Sequence, residues 1–362
     1  MKVCIVTFHS AYNFGAVLQA YALCQYLNDN CDETRILDYH NRKIDDTYKL
    51  PRLSDYISVP KHSISKLMQY VLYKGKRKKI DNFRERLPLT KRYDEGHTET
   101  ADAEADVFIA GSDQIWNYEL IGRDSSYFLD FAKDKITCSY AASFGVNKIP
   151  EEYRDFYEEG MNNLDSISVR ESNAVELVNS LCCKECSLMP DPTLLLDAEK
   201  WSEISKEPNI KNPYILIYKI TKEENLISFA KKLSRETGLP IVYIPNDIKS
   251  GIVRTTKFNV GPDEWLGYIK NAEYVVTNSF HGTAFSIIFG KKFFTEVSAT
   301  ANTATSRSYS LLRLFGLEDR IISNYRTEMQ KKELPSEHIA EVIVQQRENV
   351  KKYFDKVFGG EA

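Results

Sequence analysis

The sequence predicts an α/β protein made of two successive parallel-sheet domains, and three observations carry that prediction. Short β-rich apolar runs alternate with segments of helical periodicity along most of the chain, the mark of βαβ units. The alternation is broken at Met189–Leu196, where two prolines preclude a regular helix and set a boundary near Pro192. The length of 362 residues suits two domains of about 100–200 residues each.

The elements follow in order. Lys2–Phe8 is an apolar strand, and Ser10–Gly15 a polar break. From Ala16 the apolar positions Val17, Ala20, Tyr21, Cys24 and Leu27 recur at helical spacing, and Thr34–Tyr39 returns as a second strand. Residues 42–100 differ in character and read as an insert in the first domain. The pattern resumes with strands Asp106–Ala110, Ile136–Ala142 and Ser166–Arg170, the last two separated by a polar helix at Glu151–Leu164. The second domain, 193–330, opens with strand Tyr214–Lys219, helix Glu223–Glu236 closed by Gly238, and strand Leu239–Ile244. Helix Pro262–Lys270, strand Tyr274–Thr277, helix Thr283–Phe289 and strand Lys292–Val297 complete it. Residues 336–358 form one long amphipathic helix.

Composition excludes several classes. With 43% hydrophobic and 27% charged residues the chain is not disordered as a whole. A formal charge of −3 argues against a dedicated nucleic-acid binder. That mean hides an asymmetry, because Lys74–Arg92 carries nine basic and two acidic residues, a local +7 against −10 elsewhere. No apolar run reaches the roughly 18 residues of a spanning helix, and the N-terminal run is too short for a signal peptide. Seven cysteines, several inside apolar runs, suit a reducing cytoplasm. Cys183-Lys-Glu-Cys186 has a metal-ligand spacing but lacks a second pair or nearby histidines, so no metal site is expected.

Four motifs fall just after strands, where open α/β sheets bind ligands. Asn13-Phe14-Gly15-Ala16 opens the first helix, whose N–H groups and dipole favour an anion or a polar group; a plain turn is the alternative. Neither a P-loop nor a G-x-G-x-x-G fingerprint is present. Gly111-Ser112-Asp113-Gln114-Ile115-Trp116-Asn117 combines hydrogen-bonding side chains with an aromatic face, a mixture suited to a sugar, although Ser112 and Asp113 could equally cap a helix. Arg170-Glu171 offers a guanidinium fork for carboxylate or phosphate, or else a local ion pair. In Asn278-Ser279-Phe280-His281-Gly282, His281 stands where a strand turns into an apolar helix, a position suited to an acid or an anion partner. Arg307 and Arg313 follow a polar loop at 298–308; Arg307 suits anion capture, and Arg313 reads as a surface residue.

Taken in order, the strings NFGAVLQAYAL, GSDQIWN, SYAASFG, SVRE, DPTLLL, TNSFHGTAFSI and SRSYSLLRLFGLEDR resemble the polysaccharide pyruvyl transferase family, over Lys2–Arg320. The resemblance implies a GT-B-like fold, two Rossmann-like domains facing across a cleft with the C-terminal helix crossing back to the first. It implies phosphoenolpyruvate as co-substrate and a sugar acceptor, with no further cofactor. Donor-binding roles fall on Arg170 and His281, with His281 contacting the phosphate or acting as the acid. Many members carry Arg just before that histidine, where this chain has Ser279 and Phe280. Arg307 is the expected replacement, helped by Ser279, Gly282 and Thr283. Asp113, with Asn13, is expected to face the sugar or supply the base, and Asn13, Gly15, Gln114 and Trp116 are expected to face the acceptor.

The resemblance also points to a cytoplasmic protein, at the inner membrane face where the acceptor is lipid-diphosphate-linked. The basic stretch 74–92 would then meet anionic lipid; a solvated, mobile surface segment is the equal alternative. A GT-B glycosyltransferase using a nucleotide sugar is the rival, with Glu296 as candidate carboxylate for the donor ribose. A non-catalytic sugar-binding protein is the third reading.

Overall fold

The computed structural model describes residues 1–49, 60–220, 225–246, 255–297 and 307–359. The chain divides into two compact units, the first comprising Met1–Thr47, Arg84–Leu196 and Ala340–Ala362, the second Tyr48–Phe83 and Asp197–Ile339.

In the first unit, β1 (Lys2–Val6), β2 (Glu33–His40), β3 (Leu89–Asp94), β4 (Val107–Ala110) and β5 (Ile136–Ser139) form one sheet in the order β3-β2-β1-β4-β5. Every pairing is parallel. Strands covered on both faces read as continuous apolar runs, and β4 is buried throughout. A further parallel pair, β6 (Ile167–Val169) and β7 (Cys186–Leu188), continues beyond β5 through bridges Cys138↔Ser166 and Ala142↔Val169. Helix Phe14–Asn28 is capped by Asn13 and is buried along most of its length. Helix Ser336–Val357 joins this unit from Ala340 onward: Tyr353 Oη donates to the Ser139 carbonyl at 2.6 Å, and Phe354 stacks on Tyr140 at 5.2 Å. The order reverses between β1 and β4, which makes their carboxyl ends the topological switch point.

In the second unit, β8 (Ile215–Lys219), β9 (Ile241–Pro245), β10 (Tyr274–Thr277) and β11 (Lys292–Thr295) form a parallel sheet ordered β11-β10-β8-β9. One face carries Ile215, Ile217, Val276 and Phe294 against Leu226, Phe229, Ala230 and Leu233 of helix Asn225–Thr237. Elsewhere in the unit, Tyr218, Trp265, Phe285 and Trp201 meet edge-to-face at centroid distances of 4.9–5.4 Å. Here the switch point lies between β8 and β10.

The insert assigned to the first domain is split. β3 joins the first sheet, whereas residues 48–83, with helices Pro60–Leu72 and Lys74–Arg84, group with the second unit up to Phe83. The reason is the partners found by its basic helix. Ile80 and Phe83 are buried, Tyr73 meets Phe258 edge-on at 5.7 Å, and Lys79 Nζ donates to Glu264 at 2.7 Å and to the Asn259 carbonyl at 2.8 Å. Two helices start earlier than the sequence suggests, at Phe14 and Phe280, because Asn13 and Ser279 cap them. Among the described residues no helix is long and apolar enough to cross a membrane.

Candidate active site

In the first unit, polar groups collect where β1, β4, β5 and β6 end. Thr7 Oγ1 donates to the Ser112 carbonyl at 2.9 Å and accepts from Gln19 Nε2 at 2.8 Å, tying β1 and helix Phe14–Asn28 to the turn after β4. Asp113 sits in that turn at φ 73°, a left-handed conformation uncommon outside glycine, with its Oδ1 accepting from Gln114 N at 2.9 Å. From the end of β6, Arg170 Nη1 donates to Asp191 Oδ2 at 2.5 Å; its Nε lies 3.8 Å from Glu171 and its Nη2 3.9 Å from Asp113. Burial alone would lower the pKa of this guanidinium, but Asp191, Glu171 and Asp113 outweigh burial and raise it. Asp191 Oδ1 accepts from both Thr193 N and Thr193 Oγ1, and Glu171 Oε1 accepts from Ser143 Oγ at 2.6 Å.

These contacts correct several expectations. Arg170 is not an open fork: its side chain is 2% exposed and bonded to Asp191, so it clamps three acidic strand ends. Trp116 does not offer a stacking face to a sugar. It is fully buried, lies parallel to Phe128 at 5.5 Å, and donates its indole N–H to the Tyr127 carbonyl at 3.1 Å. Asn13 Oδ1 accepts from Gly15 N at 2.9 Å, so this atom and the Gly15 amide serve the helix cap. Gln114 Oε1 accepts from Asn117 Nδ2 at 3.1 Å, and Asn117 Oδ1 caps the short helix Tyr118–Ile121. Of this group, Asp113 and Arg170 are brought together.

In the second unit, β10 runs through Asn278 into helix Phe280–Ile288. Thr277 Oγ1 donates to the Tyr218 carbonyl at 2.7 Å and accepts from Ser279 N at 3.0 Å. Gly282 packs directly on this hydroxyl, where a Cβ would come within 2.5 Å. Ser279 Oγ accepts from Gly282 N at 3.2 Å, and the Ser279 carbonyl accepts from Thr283 N at 2.9 Å. The amides of Gly282 and Thr283 are therefore engaged in the helix start, which corrects their expected role as donor-binding helpers. His281 is buried in the first turn, edge-on to Phe280 at 5.2 Å. Arg307 is half-buried and opens helix Arg307–Leu314, which packs on helix Phe280–Ile288; residues 298–306 of its polar loop lie outside the described residues. Arg313 is exposed. Glu296, the candidate for a nucleotide ribose, instead accepts from Leu226 N at 3.1 Å at the start of helix Asn225–Thr237.

Sequence reasoning missed Lys219. It ends β8 on the face of Ile215 and Ile217, is 5% exposed, and its ammonium has no partner among the described residues. Asn278 Oδ1 accepts from Ile220 N at 2.8 Å, which sets the strand end bearing Lys219 beside the one leading to His281. The signal was a lone cation closing the apolar run ILIYK. Sequence reasoning also missed His9, Asp38 and His40, which converge at the ends of β1 and β2. Burial would raise Asp38, but its bonds to His40 and His9 hold its carboxyl well below the usual range. Asp38 and Asp45 in turn hold the His40 imidazolium up to about 9.

Two doubly wound parallel-sheet units, each with polar residues gathered at its strand ends, define an α/β protein built of two Rossmann-like units. The family model for polysaccharide pyruvyl transferase matches residues 13–295, most of the chain, and the chain belongs to that family. Among solved structures, the S. aureus MnaA–UDP co-structure is similar at 9% identity and TM-score 0.51, covering 99% of this chain and 97% of that one. A putative UDP-N-acetylglucosamine 2-epimerase from Listeria monocytogenes is similar at 10% identity and TM-score 0.49, covering 98% and 97%. At such identity the first likeness bears on the fold alone. No curated protein matches the chain.

Proposed function

We propose that this enzyme transfers the pyruvyl group of phosphoenolpyruvate to two hydroxyls of a sugar, in a polysaccharide or its lipid-linked precursor, forming a cyclic ketal and releasing phosphate. The observation that supports this reading most is the second unit's switch point. There the buried Lys219, without a partner among the described residues, ends the strand beside the one leading into the helix that bears His281 on its first turn. A donor with a carboxylate and a phosphate needs cationic surroundings, and a buried lysine at the strand end supplies one such charge. In this reading Lys219 and Arg307 hold the anionic groups, and His281 protonates the methylene carbon. A sugar hydroxyl attacks the adjacent carbon, phosphate leaves, and a second hydroxyl closes the ring. One hydroxyl proton replaces the one His281 gave up, and the other leaves with the phosphate.

Calorimetry with phosphoenolpyruvate against a panel of nucleotide sugars tests the donor. The expected result is saturable binding of phosphoenolpyruvate that weakens about 10-fold or more in Lys219→Met, the worth of one charge-assisted contact. Tighter binding of a nucleotide sugar would overturn the reading. Phosphate release and a pyruvyl mass gain on candidate lipid-linked sugars then identify the acceptor.

The reading extends to a peripheral contact with an anionic bilayer at the inner face. Helix Pro60–Leu72 contains no acidic residue, and Ile64, Leu67, Met68 and Val71 are 53%, 40%, 54% and 64% exposed at i, i+3, i+4 and i+7. The exposed Lys74 and Lys78 follow on the basic helix. Co-sedimentation with anionic vesicles should fall in Leu67→Ser/Met68→Ser and in Lys74→Gln/Lys78→Gln. Binding equal to wild type in both would discard the contact.

A further inference from the structure

We propose that His9, Asp38 and His40 form a binding site for a first-row divalent cation of the zinc class, independently of the donor reading above. His9 Nε2 lies 2.9 Å and His40 Nε2 3.1 Å from one oxygen, Asp38 Oδ1. All three prospective ligand atoms lie within 4.8 Å of one another. The far nitrogen of each ring is also held by an oxygen. His9 Nδ1 meets the Thr7 carbonyl at 3.2 Å, and His40 Nδ1 meets Asp45 Oδ2 at 3.0 Å. The surrounding chain is braced in turn. Arg84 Nε donates to the His9 carbonyl at 3.0 Å, Asp38 N donates to Thr90 Oγ1 at 3.1 Å, and Arg92 lies 3.9 Å from Asp45.

Donor counting decides what the cluster wants. A neutral imidazole has one N–H. Each of these rings meets an oxygen at both nitrogens, and each oxygen is a carbonyl or a carboxylate that can only accept. Placing the N–H on the outer oxygens leaves two nitrogen lone pairs and a carboxylate oxygen aimed at the same point. Without a cation, that arrangement leaves the three facing acceptors unsatisfied, on rings whose centroids are 6.1 Å apart. A metal ion turns the three facing acceptors into ligands and keeps both outer hydrogen bonds.

The dimensions are close. Two ligands about 2.1 Å from a tetrahedral metal stand about 3.4 Å apart, so an opening of a few tenths of an ångström from the 2.9 and 3.1 Å here admits the ion. The Asp45–His40 and Thr7–His9 contacts are the outer-shell partners that fix the tautomer of ligating histidines. Two imidazoles, one carboxylate and no thiolate suit zinc, cobalt, iron or manganese better than calcium or magnesium. His9 is 1% exposed, while the Asp38 and His40 side chains are 22% and 18% exposed, so solvent reaches the site and can fill the remaining coordination positions.

The test uses the full chain, stripped with EDTA and dialysed, then titrated with Co²⁺ by visible absorption and with Zn²⁺ by calorimetry. The expected result is one saturable equivalent with ligand-field bands and no sulfur charge-transfer band. Asp38→Asn and His40→Gln should weaken binding about 100-fold or more, and Asp45→Asn about 10–100-fold, with far-UV circular dichroism unchanged. If either ligand variant fails to fold, Asp45→Asn, which leaves all three ligands in place, decides. The proposal is overturned by an absence of saturable binding, by variants that bind as wild type does, or by a thiolate band abolished in Cys183→Ser/Cys186→Ser.

Discussion

Replacing Asp191 with asparagine should cost the first unit about 3 kcal/mol. The Arg170 side chain is 2% exposed, that of Asp191 is 0% exposed, and the two meet at 2.5 Å. Removing one member of such a pair strands the other charge and typically costs about 3–5 kcal/mol. Here Glu171 at 3.8 Å and Asp113 at 3.9 Å still face the guanidinium, which places the loss at the lower end. Asparagine keeps an oxygen for Thr193 N and Oγ1, so the variant reports on the charge with the cap retained. For a unit of this size about 3 kcal/mol corresponds to a fall of roughly 6–12 °C in Tm, read by scanning calorimetry with the two units resolved. A double-mutant cycle with Arg170→Gln should return a coupling of about 1–3 kcal/mol. A Tm within about 2 °C of wild type, or strictly additive losses, would refute the clamp.

Gly282→Ala should destabilise the second unit by about 1–3 kcal/mol, because its Cβ would stand 2.5 Å from Thr277 Oγ1, and should weaken phosphoenolpyruvate binding in the same titration. Trp116→Ala should cost about 3–5 kcal/mol in urea unfolding, whereas Trp116→Phe should leave the acceptor KM unchanged, as befits a core residue. Ala141→Gly should raise stability by about 0.5–1 kcal/mol, because Ala141 holds φ 48° and glycine relieves that strain; an unchanged or lower Tm would contradict it.

What the sequence made legible is what short-range chemistry determines. Buried parallel strands such as VFIA at β4 read as apolar runs, and the turn Asn278–Gly282 stands out because a cap, a close-packed glycine and a histidine fall within five residues. Trp116 was misread because neighbouring polar residues do not reveal which way an indole faces; its partners Phe128 and Tyr127 come from a later turn. The grouping of residues 48–83 depends on contacts such as Lys79 with Glu264, 185 positions away. The histidine cluster is likewise a product of strand pairing, since His9 and Asp38 meet across 29 residues through the β1–β2 register. Lys219 was hidden because a charge closing an apolar run looks like an ordinary exposed strand end.

The assignment of Ala340–Ala362 to the first unit has a consequence for biogenesis. Synthesis runs from the amino to the carboxyl end, so the ribosome completes Asp197–Ile339 before the segment that seats Tyr353 on Ser139 and Phe354 on Tyr140 has emerged. The half that is begun first is finished last. Until then Ser139 and Tyr140 at the end of β5 lack their cover, and a ribosome stalled shortly after Ile339 would hold one finished half tethered to one still vulnerable to proteases and chaperones.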